Sequence, residues 1–350
     1  EVARAKGEKP RYNGKCRARG LGYAEGRVVR LKVPAEGRVV FDDMVKGPIA
    51  VDVNELDDMV LRRADGMPTY NMAVVIDDYE MGVTHVVRGD DHVSNTPKQI
   101  LIYQALGLTV PTFGHVPMIL GPDKQKLSKR HGARAVVEYQ QDGLLPEALV
   151  NYLVRLGWSH GDQEIFSLQE LVKLFDGKNL NSSAAAFDPD KLQWLNGYYL
   201  KHTPLGKAVE LTRPFIEKSG LSLDGKNAEA AISLYIERAS NLNDLAEQVK
   251  PYLQNIENVV FEEKALNALD GQGKEQIKNV LALVRDTEFT AENLEHVIHD
   301  YVETSGVKFK LVGTPLRSAL IGLAGGPSIH LIMFALGKAE TIKRLERALA

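Results

Sequence analysis

The chain has 350 residues, of which 44% are hydrophobic and 25% are charged, and its formal net charge is −3. This length exceeds what one typical hydrophobic core supports, so the sequence predicts a globular protein of about two to four domains. No apolar run approaches the roughly 18 residues that a membrane-spanning helix needs, and the first residues lack the apolar centre of a signal peptide. The only cysteine, Cys16, has no partner for an intrachain disulfide, which indicates a reducing, cytoplasmic setting.

The charge is distributed unevenly along the chain. Residues 1–38 contain 11 lysines and arginines against 4 glutamates, a net charge of +7, and the remaining residues carry about −10. A basic segment on an acidic body is typical of a protein that grips a polyanion locally. A solvated basic arm explains the same charges equally well, so both interpretations stay open at this point.

The first third of the chain predicts an α/β arrangement. Residues 1–68 are irregular and β-rich, because glycines and prolines separate strand-like runs at 28–29, 31–33 and 38–41. The next segment predicts part of an α/β sheet, with strands at 70–76, 85–88 and 115–120 and a helix at 94–106. Ligands of such sheets bind beyond the carboxyl ends of the strands, and the polar residues 88–92 follow one such end.

The rest of the chain predicts helices. Residues 133–200 are helical in pattern, and their clearest helix is at 146–156. From Pro204 onward, apolar residues recur at helical spacing in segments at 228–242, 245–253, 274–284, 291–302, 316–323 and 328–336.

The run Lys126-Leu127-Ser128-Lys129-Arg130 follows Gly121-Pro122-Asp123, a sequence that favours a turn. We therefore expect its cations at the start of a surface loop. Such a loop suits chemistry on a triphosphate, because ammonium groups stabilise the charge that builds up as pyrophosphate leaves. A solvated basic loop is the alternative.

Six motifs occur in one order along the chain: Asp65-Gly66-Met67-Pro68-Thr69-Tyr70-Asn71, Val75-Ile76-Asp77-Asp78, His85-Val86-Val87-Arg88-Gly89-Asp90-Asp91-His92, Lys126-Leu127-Ser128-Lys129-Arg130-His131-Gly132, Tyr152-Leu153-Val154-Arg155-Leu156-Gly157-Trp158 and Thr314-Pro315-Leu316-Arg317. Together they closely resemble bacterial glutamyl-tRNA synthetases, a family of class I aminoacyl-tRNA synthetases, over essentially the whole chain. The resemblance implies ATP-dependent ligation of L-glutamate to tRNA(Glu) through glutamyl-adenylate. It also implies ATP with Mg²⁺ as a substrate and a cytoplasmic monomer without membrane contact.

The same resemblance implies an α/β plus all-α fold: an incomplete Rossmann-type catalytic domain with an inserted acceptor-binding domain, a stem-contact domain and a C-terminal all-helical anticodon-binding region. We expect residues 1–68 to form the remainder of the inserted domain and 69–122 the second half of the catalytic domain. Residues 123–204 would form the stem-contact domain, which includes the run at 126–130, called the lysine loop below. Residues 205–350 would form the helical region, with a division near residue 260 left open.

The glutamate site is expected around three residues. Arg88 matches the family's arginine for the substrate glutamate, and a guanidinium fork suits a carboxylate. The alternative for Arg88 is a surface ion pair with Asp90 or Asp91. Tyr70 matches a tyrosine that lines the glutamate pocket, although a strand tyrosine is more often part of the core. His92 matches a position beside the amino acid.

The ATP site is expected around the lysine loop. Lys126 and Lys129 match the signature lysines that stabilise the ATP phosphates in the transition state, which makes them the expected catalytic residues. Ser128 and Arg130 belong to the same expected ATP-binding loop. Asp91 matches a position near ATP, where its carboxylate could accept hydrogen bonds from ribose or from an ammonium group.

Two features of the family are missing. The chain has no His-(Ile/Val)-Gly-His signature, so we expect it to lack roughly the first quarter of the enzyme and to activate glutamate poorly by itself. Cys16-Arg17-Ala18 retains one cysteine of a pair that binds zinc in some members, but Ala18 replaces the second ligand. One thiolate cannot hold zinc, so we expect no zinc and no other metal site.

The helical half carries no catalytic constellation. His296 and His299 are expected to be solvated or packed rather than metal ligands. Five basic residues could contact tRNA phosphates or simply form charged helix faces: Arg317, Lys338, Lys343, Arg344 and Arg347.

A non-catalytic tRNA-binding protein derived from the same fold is the competing function. An intact lysine loop beside the substrate arginine favours the enzyme, whereas the missing signature favours the binder. The sequence has no G-x-x-x-x-G-K-(S/T) run, which excludes a P-loop nucleotidase.

Overall fold

The structure is a computed structural model that describes residue 7 and residues 11–127, 134–224 and 227–350. The chain divides into two compact units. The first comprises Glu1–Ala133 and Leu153–Phe187, and the second comprises Arg134–Tyr152 and Asp188–Ala350.

Strands and helices alternate in the first part of unit one. In chain order, the described elements before residue 128 are β1 (Val29–Arg30), β2 (Arg38–Asp43), β3 (Gly47–Asp52), β4 (Val60–Arg62), α1 (Tyr70–Glu80), β5 (His85–Gly89), α2 (Thr96–Leu106) and β6 (Thr112–Val116). Short 3-10 helices at Val53–Glu55 and Asp90–Asn95 accompany them.

A four-stranded sheet with the spatial order β3-β2-β6-β5 organises this unit, and β1 pairs separately with β4. β2 and β3 form an antiparallel hairpin, whereas β6 runs parallel to both β2 and β5. Helix α2 connects β5 to β6, which makes a βαβ unit and brings the carboxyl ends of both strands to one edge. The sheet therefore takes two strands from residues 1–68 and two from residues 69–122.

Apolar packing fixes α2 against the sheet. Ile102 and Tyr103 of α2 are almost fully buried in one cluster with Val39 of β2, Val75 of α1 and Phe113 of β6. Burial of each such side chain contributes roughly 1.5–3 kcal/mol. The position of α2, and of any polar residue in its first turn, is therefore set by the core beneath it.

The structure corrects several predicted elements of this unit. The predicted strand at 70–76 is wrong, because these residues begin helix α1; a short apolar run does not by itself distinguish a buried strand from a helix. The run at 31–33 is not a strand, and β3 was not predicted. The strand predicted at 115–120 lies at Thr112–Val116, and the strand at 85–88 and the helix at 94–106 are confirmed within two residues.

The remainder of unit one is built around an aromatic cluster. Trp158, Phe166 and Leu171 are buried together. In the chain after residue 133 the described helices begin with α3 (Val136–Gln141), α4 (Pro146–Gly157), α5 (Leu168–Leu174) and α6 (Pro189–Lys201). Ser167 and Glu170 form a capping box at the start of α5, with the Glu170 Oε2 atom 2.7 Å from the Ser167 amide nitrogen.

Unit two is helical after α6, as predicted. Its further helices are α7 (Leu205–Glu217), α8 (Ala228–Ser233), α9 (Leu242–Leu253), α10 (Glu263–Asn267), α11 (Gly271–Asp286), α12 (Ala291–Ser305), α13 (Phe309–Ile321), α14 (Ile329–Leu336) and α15 (Lys338–Leu349). The continuous helix predicted at 228–242 is wrong, because α8 ends at Ser233 and Asn241 caps a new helix by accepting from the Asp244 amide at 2.9 Å. Among the described residues, no helix is long and apolar enough to cross a membrane.

Arg344 is a structural residue of unit two. Only 1% of its surface is exposed. Its guanidinium donates to the carbonyl oxygens of Pro251 at 2.7 Å, Leu320 at 2.6 Å and Gln254 at 2.8 Å, and to Glu340 at 2.7 Å. Neither interpretation from the sequence fits, since a buried arginine that satisfies helix-end carbonyls is neither a tRNA contact nor part of a charged surface.

Candidate active site

Arg88 lies near the carboxyl end of β5, directly opposite His115 of β6 in the parallel register. The 3-10 helix Asp90–Asn95 follows at once and leads into α2. This edge of the sheet is where ligands of α/β proteins bind. The position of Arg88 at a strand end is therefore as predicted.

Neutral acceptors surround the Arg88 guanidinium. Its Nε lies 3.2 Å from Nε2 of His115, and its Nη2 lies 2.9 Å from Oγ1 of Thr96 and 2.9 Å from Oε1 of Gln99. The predicted alternative, an ion pair with Asp90 or Asp91, is wrong in this structure. The two hydrogens of Nη1 have no partner among the residues that the structure describes.

The charge of Arg88 is held in a half-buried position. Burial lowers the pKa of its guanidinium, while the nearby Tyr70, Asp78 and Tyr103 act in the opposite direction. An arginine nevertheless keeps its proton at any physiological pH. Burial also raises the pKa of the Asp78 carboxyl, although the Arg88 charge opposes this effect. The site therefore presents a permanent cation that donates to no carboxylate among the described residues.

A buried pair lies behind Arg88. Asp43 is 4% exposed and His115 is 0% exposed. The Nδ1 atom of His115 lies 2.5 Å from Oδ2 of Asp43, and Oγ1 of Thr96 lies 3.0 Å from Nε2 of the same ring. Burial raises the pKa of Asp43, but hydrogen bonds from His115 and from the backbone of residues 45, 46 and 115 outweigh it, so the pKa lies below its ordinary value.

Sequence reasoning missed the residues that hold Arg88. Gln99, 1% exposed, donates to Oδ1 of Asn71 at 3.1 Å and so links the first turn of α1 to the site. The one available signal was a set of polar side chains, Thr96, Gln99 and His115, inside segments that are mostly apolar. Asp43 comes from β2, 72 positions from His115, and no sequence pattern connects the two.

Tyr70 and His92 come together beside the arginine. Their ring centroids are 6.3 Å apart. Tyr70 is the first residue of α1 and is 55% exposed, so it is not the core strand residue that the sequence alternative favoured. The ring of His92 is oriented by Asn95, whose Nδ2 lies 3.2 Å from Nδ1 of His92.

The described part of the lysine loop, Lys126 and Leu127, directly follows a tight turn and pairs with the residues before that turn. The Leu127 amide donates to the Ile119 carbonyl at 2.9 Å, and the Gly121 amide to the Gln125 carbonyl at 2.8 Å. Lys124 takes a left-handed conformation, with φ of 59°, at the turn. The turn predicted at Gly121-Pro122-Asp123 is thus confirmed, while Ser128, Lys129 and Arg130 lie outside the described residues.

Lys126 reaches back to the residues after β5. Its Nζ lies 3.3 Å from Oδ2 of Asp91, and both side chains are about half exposed, at 62% and 47%. The Oδ1 atom of Asp91 lies 4.0 Å from Nε2 of His92. Asp91 therefore stands between the predicted phosphate loop and the predicted glutamate residues.

A basic cavity of about 710 Å³ lies elsewhere in unit one. The cationic side chains in its lining are Arg17, Arg27, Arg30 and Lys32, and Tyr12 and Tyr23 lie among them. The Arg30 guanidinium stacks over the Tyr12 ring at 4.0 Å from its centroid. Cations interleaved with aromatic rings suit a nucleic acid strand.

The potential metal ligands considered from the sequence, Cys16, His296 and His299, are all exposed. Cys16 is a free, exposed thiol. Among the described residues, the group of potential ligands within reach of one another is His299, Asp300 and Glu303, all exposed. Exposed acidic groups of this kind are common without an ion.

Comparisons with known proteins show which family the chain is similar to. Residues 2–194 match the family described as class I tRNA synthetases (E and Q), catalytic domain, and residues 207–349 match an anticodon binding domain. The glutamate–tRNA ligase of Nitratidesulfovibrio vulgaris (strain Hildenborough) is 58% identical over 100% of this chain and 76% of its own length. That of Lawsonia intracellularis is 52% identical over 99% of this chain and 75% of its own length.

A solved structure is similar along the same extent. The crystal structure of a glutamate tRNA ligase from Elizabethkingia meningosepticum in complex with its amino acid matches 99% of this chain and 76% of that chain, with a TM-score of 0.87 and 31% sequence identity. These matches agree with the α/β sheet of unit one and with the helices of unit two. The chain belongs to the glutamate–tRNA ligases of the class I tRNA synthetase family.

Proposed function

We propose that this chain carries out ATP-dependent ligation of L-glutamate to tRNA(Glu) through glutamyl-adenylate, with Mg²⁺ accompanying ATP. The observation that supports it most is the Arg88 guanidinium, held by three neutral acceptors with both Nη1 hydrogens unpartnered among the described residues. A cation without a carboxylate partner attracts a substrate carboxylate strongly, because no existing ion pair has to be broken.

Three residues form the proposed glutamate site. Arg88 binds a carboxylate of glutamate through its Nη1 hydrogens. Tyr70 and His92, whose rings lie 6.3 Å apart, line the same site and restrict the position of the amino acid. Charge-assisted hydrogen bonds from N–H groups of fixed direction constrain the orientation of the substrate as well as its affinity.

The proposed ATP site comprises Asp91, Lys126, Ser128, Lys129 and Arg130. Lys126 and Lys129 act as catalytic residues by following the charge on the phosphate oxygens as pyrophosphate leaves. The exposed pair between Lys126 and Asp91 contributes roughly 1 kcal/mol at most, so the ammonium group can turn to ATP at little cost. Asp91 then accepts hydrogen bonds from ribose or from the ammonium group of glutamate.

For tRNA we propose the domain division of the family: an inserted acceptor-binding domain within residues 1–68, the second half of the catalytic domain at 69–122, a stem-contact domain at 123–204 and an anticodon-binding region at 205–350. Strands β2 and β3 lie before residue 69 but belong to the same sheet as β5 and β6, so we assign these two strands to the catalytic domain. The basic cavity around Arg27 and Arg30 suits the acceptor end, since its cations and tyrosine rings suit a single strand. We further propose a cytoplasmic monomer without zinc.

Glutamate-dependent exchange of pyrophosphate into ATP and glutamylation of tRNA(Glu) test this proposal. The chain would be assayed beside the full-length Nitratidesulfovibrio vulgaris relative, which is the positive control. We expect both reactions to be slower in this chain than in the full-length relative and to require glutamate. They should be lost in Arg88→Ala but kept in Arg63→Ala, a matched control whose exposed side chain pairs with Asp65 at 3.2 Å.

Binding of tRNA without either reaction would favour the non-catalytic tRNA-binding protein instead. For that comparison, tRNA affinity would be measured at several salt concentrations. Arg27→Ala should reduce the slope of log affinity against log salt by about 1 if this side chain contacts a phosphate.

A further inference from the structure

A continuous chain of hydrogen bonds runs from the backbone of the β2–β3 turn to Arg88. The Oδ1 atom of Asp43 accepts from the amides of Val45 at 3.0 Å, Lys46 at 3.0 Å and His115 at 3.1 Å. The Oδ2 atom of Asp43 contacts Nδ1 of His115 at 2.5 Å. Across the ring, Nε2 of His115 contacts Nε of Arg88 at 3.2 Å.

The donors and acceptors of this chain can each be assigned. The Nε–H of an arginine can only donate, so Nε2 of His115 must accept and carries no proton. The ring proton is therefore on Nδ1, where it donates to the Asp43 carboxylate. The Thr96 hydroxyl fits the same direction, because it accepts from Nη2 of Arg88 at 2.9 Å and donates to Nε2 of His115 at 3.0 Å. The single lone pair of Nε2 is then shared between the hydroxyl and the Arg88 Nε–H.

We propose that Asp43 and His115 are positioning residues for glutamate binding: Asp43 fixes His115 in its neutral Nδ1–H tautomer, and the free Nε2 atom then orients the Arg88 guanidinium. The role in glutamate binding rests on the function proposed above. The orientation matters because three of the five N–H groups of Arg88 are already used, which leaves the two on Nη1 for the substrate carboxylate. A carboxylate at position 43 is needed, since both of its oxygens must accept.

The isosteric substitution Asp43→Asn separates this role from plain packing. Three backbone amides face Oδ1, so the amide oxygen of the new asparagine stays there and its NH₂ group faces His115. Nδ1 of His115 must then accept, and the ring proton moves to Nε2. The result is two N–H groups facing each other, on His115 and Arg88, in a side chain of unchanged size.

The first test is nitrogen-15 NMR of histidine- and arginine-labelled full chain, because protonated and unprotonated ring nitrogens resonate in separate ranges. His115→Gln identifies the resonances of His115. We expect an unprotonated Nε2 in the wild type, a protonated Nε2 in Asp43→Asn, and loss of hydrogen-exchange protection at the Arg88 Nε–H in that variant. Asp42→Asn, at the exposed neighbouring position on β2, is the matched control and should change neither signal.

The second test is the kinetics of pyrophosphate exchange at varied glutamate and varied ATP. Asp43→Asn should raise the KM for glutamate about 10- to 100-fold, the usual effect of losing one charged hydrogen bond with its partner left unpaired, and change the KM for ATP by less than about threefold. His115→Gln can still offer an oxygen to Arg88, so it should raise the KM for glutamate less than Asp43→Asn does. His115→Asn reaches Asp43 but not Arg88, so it should raise this KM as much as Asp43→Asn does.

The two proposals fail in different ways. A protonated Nε2 in the wild type, or no tautomer change in Asp43→Asn, overturns the positioning role whatever the activity. A changed tautomer with unaltered protection at Arg88 and an unaltered glutamate KM also overturns it. Absence of glutamate-dependent exchange in the wild type overturns the proposed function alone, because the labelled spectra still decide whether Asp43 and His115 orient Arg88.

Discussion

Replacing Arg88 by lysine keeps the positive charge of the site but removes the planar guanidinium group. The guanidinium makes three hydrogen bonds, to His115, Thr96 and Gln99, and still offers two N–H groups. A lysine ammonium has three hydrogens on one nitrogen, so it cannot serve these acceptors and a substrate carboxylate together. We therefore expect Arg88→Lys to abolish the productive contact even though the net charge is unchanged.

The size of the effect follows from the hydrogen bonds that the lysine cannot make. A hydrogen bond to a charged group is worth about 1.5–3 kcal/mol, and Gln99, buried at 1% exposure, is also deprived of its donor. A decrease of about 2–3 kcal/mol in transition-state stabilisation corresponds to a roughly 30- to 150-fold decrease in kcat/KM for glutamate.

Pyrophosphate exchange at varied glutamate measures this decrease. Arg63→Lys is the control, because the Arg63 side chain is 58% exposed and pairs only with Asp65. The wild-type value of kcat/KM for glutamate in Arg88→Lys would refute the reasoning. An equal increase in the KM for ATP would do so as well, since the guanidinium would then act on the whole site rather than on the amino acid.

Three further predictions concern the loop, the buried carboxylate and the helical unit. Lys126→Ala should lower kcat for pyrophosphate exchange about 10- to 100-fold with little change in tRNA affinity, and unchanged turnover would contradict the catalytic assignment. The depressed pKa of Asp43 stabilises the folded chain fully above the unfolded value of 3.8, and this contribution is lost as the pH falls through the folded pKa. Thermal unfolding should therefore show the difference between wild type and Asp43→Asn shrinking below about pH 4, and a difference that grows there would contradict the sign. Arg344→Met should lower the free energy of unfolding by about 3–5 kcal/mol in urea titrations, because three carbonyl oxygens and Glu340 lose a buried donor, whereas the exposed Lys343→Met should change it by less than about 1 kcal/mol.

The positions of the proposed substrate residues were easier to predict from the sequence than the residues that hold them. Arg88 and the turn before Lys126 could be predicted, because each has a local signature. Tyr70 was placed on a strand but begins a helix, since an apolar run from 70 to 76 fits a strand as well as a helix. Arg344 was expected at the surface, as a tRNA contact or as part of a charged helix face. The helical spacing of the residues around it does not show that this side chain packs against carbonyl groups.

The hydrogen-bonded residues behind Arg88 could not be predicted, for a physical reason. Their geometry depends on the parallel register that places Arg88 opposite His115 and on the pairing of β2 with β6, which brings in Asp43. Register and strand order are set by long-range packing, and a single buried histidine in a strand carries no mark of its partner.

The βαβ unit has a consequence for how the site comes into existence during folding. Arg88 and His115 are 27 positions apart, and Thr96 and Gln99 lie between them, so one compact segment supplies the guanidinium and all three of its acceptors. Contacts of such short sequence separation close with a small entropy cost and form early. Asp43 joins from 72 positions away, when β2 pairs with β6. Before that pairing, Asp43 cannot fix the tautomer of the histidine ring. On the positioning role proposed above, the docking of β2 therefore completes the orientation of the Arg88 guanidinium.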